Sequence, residues 1–145
     1  MNSDRDINRA LQQRIIDTAD EYHYIAEDHW SQAVDLKPEG EEDEFEFRRI
    51  ARVALQFYAR AYLVLQMVET DPEQQVEDLL EIIAESEPDT AEFIGKNDVM
   101  AVVDEEGNSN LSHLFAIAEA VRSMLLERSN VLAATLGTRF AGSSQ

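Results

Sequence analysis

The sequence predicts an all-α protein, a single antiparallel bundle of three long helices with two or three shorter ones. Three observations carry that reading. Apolar residues recur at steps of three and four along three long stretches. The breaks between them carry proline, glycine or clustered acids. The β-branched run VMAVV has no second run with which to pair as a strand. At 145 residues the chain is one ordinary domain, 1–145, long enough to bury a real core.

The first helix is expected over about 4–36. Leu11, Ile15, Thr18, Tyr22, Ile25, His29, Ala33 and Leu36 share its main stripe, and Ile16, Ala19, His23, Ala26, Trp30 and Val34 widen it. At 1.5 Å per residue it is more than about 40 Å long and sets the long axis of the bundle. Lys37, Pro38 and Gly40 stop it, and the acids of 41–44 form a short turn that makes the next helix its antiparallel neighbour.

That next helix, about 45–69, is the central one. Phe47, Ile50, Ala54, Phe57, Tyr58, Ala61, Leu65 and Val68 share a face, and Arg49, Arg52, Gln56 and Arg60 lie opposite. Leu63 and Met67 extend the apolar surface round its second half, as in a helix contacted from several sides. Thr70, Asp71 and Pro72 suggest a cap and first turn for a third helix, with Val76, Leu79, Leu80 and Ile83 as a narrow stripe and Glu87 and Pro88 as its end. A short turn through Phe93 closes at Gly95, and 98–104 reads as another short helix. The last long helix is expected over about 110–136, stopped by Gly137, with 137–145 as a frayed tail. It carries a main stripe through Leu114, Ala118, Val121, Leu125, Leu132 and Leu136. A second ridge of Ile117, Met124 and Val131 suggests an interface with another subunit.

Composition narrows function. Thirty acidic against twelve basic residues leave a formal net charge of -18, and Lys37 and Lys96 are the only lysines. Such a field repels phosphate backbones and anionic lipid, so neither direct nucleic-acid binding nor membrane binding is expected. It suits solubility in concentrated salt, or attraction of a basic partner. The absence of cysteine excludes disulfides, thiolate zinc sites and cysteine nucleophiles. The polar start MNSDRDINR and the lack of an apolar span read as a cytoplasmic protein.

Residues that could carry chemistry are few. His23 and His29 stand about 120° apart on their helix and do not chelate a metal, and neither they nor His113 stand in paired Glu-x-x-His motifs. No metal or cofactor is expected. Arg49, Arg52 and Arg60 form the one basic stripe, expected to pair with carboxylates of the first and third helices. A small ligand pocket between the first two helices would use His29, Tyr58, Tyr62 and Arg60.

The succession of an aromatic-rich central helix, the DLLEII helix and a final long helix, over about 45–136, resembles the HEPN class of bundles, some of which cut RNA. That family's nuclease signature places an arginine a few residues before a histidine. None of His23, His29 or His113 has one, so the resemblance implies the fold without the nuclease residues. The leading expectation is a noncatalytic protein working through helix-mediated contacts with a protein partner, as a homodimer on the Ile117, Met124 and Val131 ridge. The alternatives are a small enzyme or ligand binder, and an acidic decoy for a basic nucleic-acid-binding protein.

Overall fold

Alanine sets how closely the first two helices approach. In a computed structural model, residues 3–36, 41–97 and 111–142 are described, with side chains for 6–36, 45–93 and 115–136. The elements are α1 (Ser3–Leu36), α2 (Glu41–Leu65), α3 (Val76–Ser86), α4 (Pro88–Asn97) and α5 (Leu111–Gly142). The three long helices α1, α2 and α5 pack together, with α3 and α4 as the short ones, so the all-α bundle is as expected. Ala26 and Ala33 of α1 and Ala51, Ala54, Ala59 and Ala61 of α2 are wholly buried, and α1 packs more extensively on α2 than any other pair packs. Without long side chains between them the two backbones come close over most of their length.

Aromatic rings fill the end of the bundle where α1 finishes and α2 and α5 begin. Trp30 and Phe47 each lie against Phe115, with ring centres 5.7 and 5.9 Å apart. At the opposite end Ile15 and Ala19 cluster with Leu65 and Leu136. Together these contacts make α2 antiparallel to α1 and α5 parallel to α2.

The buried side of α1 is centred on Ala19, Ala26, Trp30 and Ala33. Leu11 is 43% exposed, and His29 is half-buried. The helix is therefore rotated from the stripe that periodicity alone suggests, toward the residues that widened it. The small side chains there admit α2, and Trp30 brings the largest apolar area.

The helix α2 ends at Leu65, earlier than expected. Val68 N–H donates to Leu63 C=O at 2.9 Å and Met67 N–H to Val64 C=O at 3.0 Å, a Schellman arrangement. It places Met67 at φ 62°, the left-handed region where glycine is usual. Pro72 does not open α3. Gln74 N–H bonds to Asp71 C=O at 3.0 Å, so Pro72 sits inside a turn, and α3 starts at Val76 with Gln75 N–H held by Asp78 Oδ2 at 3.1 Å. Val76, Leu79, Leu80 and Ile83 are all buried, as their stripe requires.

Gly95 does not close α4, which runs to Asn97, and α5 continues past Gly137 to Gly142. A single glycine inside a helix costs only about 1 kcal/mol relative to alanine. The expected short helix over 98–104 lies outside the described residues, as do the side chains of His113 and Leu114.

Candidate functional site

Glu87 joins α3 to α4 and gathers three elements on one carboxylate. Its N–H caps α3 by donating to Ile83 C=O at 3.0 Å, and its C=O receives Thr90 N–H at 3.0 Å and Ala91 N–H at 3.1 Å. Pro88 follows at the first helical position of α4, where a missing N–H costs nothing. The Glu87 side chain accepts from the Tyr62 hydroxyl and from Gln66 Nε2 at 3.4 Å, both reaching from the C-terminal end of α2. It also accepts from Thr90 Oγ1 at 3.0 Å and from Arg128 Nη1 of α5 at 2.5 Å. Burial and then the Glu87 carboxylate push the Tyr62 hydroxyl pKa well up, so Tyr62 stays a donor.

Beside this joint a cleft of about 610 Å³ opens between α5, the C-terminal part of α2 and the α3–α4 junction. Tyr62, Glu87 and Arg128 line it as a closed polar network, and Phe93, Met124, Val131 and Leu132 make an apolar wall. Ala120, Ser123 and Glu127 complete the lining along α5. Met124 is 9% exposed and Val131 58%, so the wall rises from the core to open solvent within two turns of one helix.

A second polar cluster ties α1, α2 and α5 together. Arg122 grips Glu27 with two bonds of 2.9 and 3.0 Å and donates from Nε to the Tyr58 hydroxyl at 2.8 Å. Its guanidinium also lies 5.5 Å from the ring centres of both Trp30 and Tyr58. Burial is the main cause that raises the Tyr58 pKa, followed by its interaction with Glu27. His23 packs beside the Tyr58 ring, 6.3 Å between centres, and its buried Nε2 has no hydrogen-bond partner among the described residues. Desolvation holds its pKa below the ordinary value, against the opposing pull of Asp20 and Glu27.

The four expected ligand residues go to separate places. His29 Nδ1 bonds back to Ile25 C=O at 2.9 Å, which requires the tautomer protonated on Nδ1. Tyr58 belongs to the Arg122 cluster. Arg60, 6% exposed, holds the loop after α2 through Thr70 Oγ1 at 2.9 Å and the carbonyls of Asp71, Pro72 and Gln74 at 3.0 to 3.3 Å. Of the four, Tyr62 alone lines the cleft. Of the expected interface ridge, Met124 and Val131 line it, whereas Ile117, 4% exposed, lies in the core.

The arginine stripe divides in a similar way. Arg52 pairs with Glu77 of α3 at 2.5 Å, but Arg49 pairs within its own helix, with Glu46 at 2.9 Å, and Arg60 holds mainly carbonyls. Glu27, Glu87, Arg122 and Arg128 carry the polar bonds that tie α5 to α1, to α2 and to the α3–α4 junction, and sequence reasoning did not select them as site residues. The one local sign was Glu87 standing before Pro88, a helix junction in which a carboxylate meets two new amide ends.

Among the described residues no three histidine, aspartate or glutamate side chains are grouped to hold a metal ion. No described helix is long and apolar enough to cross a membrane. Compared with protein families, curated proteins and solved structures, the chain has no match.

Proposed function

We propose that the protein is a noncatalytic binding module that receives a segment of another protein in the cleft beside α5. The observation that carries this reading is the apolar wall of Phe93, Met124, Val131 and Leu132 next to polar groups that are already committed to each other. General acid–base work needs a group with a free lone pair or proton and a pKa near the working pH. The Glu87 carboxylate already has four donors, and Tyr62 is held far on the protonated side. What the cleft leaves available is apolar area, with Val131 at its exposed margin.

A partner of different sequence suits the cleft better than a second copy. Most of the apolar ridge that would have joined two copies, Ile117 and Met124, is covered within one chain. Two chains of formal charge -18 also repel each other when salt is low.

The reading is tested with a photo-crosslinking side chain at Ser123, in the cleft, or at the exposed Glu21 of α1, in cells producing the protein. A discrete adduct is expected from position 123 and not from position 21. Adducts from neither position, or equally from both, would remove the cleft as the contact face. A second copy in the position-123 adduct would make the contact a homodimer.

A further inference from the structure

Resting on the cleft as contact face, we infer that its occupant is a basic amphipathic helix of a partner protein. Charge around the cleft selects that chemistry. Among the described residues Arg128 is the one cation in the lining, and it is already bonded to Glu87. Glu127 is exposed, lines the cleft, and adds a negative charge to a neutralised pair. On α4 and α5, whose side chains line the walls, Asp89, Glu92 and Glu119 are exposed. Arg122, the other described cation of α5, is spent on Glu27.

An apolar floor with an acidic surround matches a helix whose apolar residues recur at three and four and whose other positions carry lysine or arginine. The net charge of -18 draws such a helix in from a distance and discourages acidic or neutral competitors and a second copy.

Two labelled peptides with the same leucine and phenylalanine stripe test this on the full chain. One has lysine and arginine on its polar face and the other glutamine. Binding is read by fluorescence anisotropy at about 0.1 M and about 1 M salt, where the screening length falls from about 10 to about 3 Å. The basic peptide is expected to bind about tenfold or more tightly than the neutral one at the lower salt, with the gap closing at the higher.

Val131→Glu separates seating in the cleft from diffuse attraction. It adds a negative charge, which strengthens any purely electrostatic capture, but breaks the apolar wall at a position already exposed. Loss of about tenfold in basic-peptide affinity is expected, with an unchanged melting curve. Equal binding of the two peptides would overturn the inference and leave the cleft as contact face. Basic-peptide binding that survives or improves in Val131→Glu would also overturn it, as would no binding of either peptide. The Ser123 crosslink then decides independently whether the cleft is a contact face at all.

Discussion

Burial lowers the pKa of His23 although two carboxylates stand near it. Burial beside Tyr58 disfavours the charged ring, Asp20 and Glu27 on its own helix favour it, and burial wins. The sign of the pH effect follows. In the unfolded chain the ring titrates near its ordinary 6.5, and in the fold only at lower pH. Above both values the ring contributes no pH dependence. As pH falls through about 6.5 the unfolded chain takes up a proton that the fold refuses, and stability declines until the folded ring titrates too. Denaturant unfolding at a series of pH values is expected to show that decline, and His23→Gln to flatten it. Met67 carries a different local strain, a side chain at φ 62° where a Cβ crowds its own carbonyl. Met67→Gly is expected to raise stability by up to about 1 kcal/mol, read as a later denaturation midpoint with unchanged slope. Nothing in the sequence marks position 67 as left-handed, because its conformation follows from where α2 stops.

The helices themselves were largely legible, since each long one has enough apolar residues at helical spacing to declare its existence. Their ends and faces were less so. Pro72 looks locally like a helix start, but Arg60, from within α2, draws the carbonyls of Asp71, Pro72 and Gln74 toward itself and holds that segment in a turn. A contact made across ten or more residues leaves no local signature. The same holds for Glu87 with Arg128 and for Glu27 with Arg122, so the polar joints that shape the cleft could not be read from spacing. Arg60→Ala leaves these carbonyls without their shared donor and opens a gap against α2. It is expected to cost about 3 kcal/mol, measured by denaturant unfolding, with the loss of protection concentrated in residues 66–75.

For the molecule as a whole, charge and core pull in opposite directions. A core rich in alanine buries modest apolar area per residue, while a formal charge of -18 pushes the folded chain apart. Raising salt from about 0.01 to about 1 M shortens the reach of that repulsion from about 30 to about 3 Å. Melting temperature is therefore expected to rise steadily over that range, measured by calorimetry. A fall would mean that the exposed or half-exposed pairs Arg122–Glu27 and Arg128–Glu87 contribute more than the repulsion costs. The sum of charges was plain in the sequence. Which acids stay free to act on a partner was not, because that depends on where arginines such as Arg122 and Arg128 find their carboxylates.

The two walls of the cleft differ in how they are anchored. The α5 wall is built into the core against α2, whereas α4 packs chiefly on α3 and is moored across the cleft by the Glu87 joint. One side is therefore an anvil and the other a jaw, latched at Glu87 and steadied by Phe93 against the core. That latch stands apart from the aromatic stack at one end of the bundle and from the Leu65 and Leu136 cluster at the other, so the carboxylate that shapes the cleft is not the one thing that holds the bundle together.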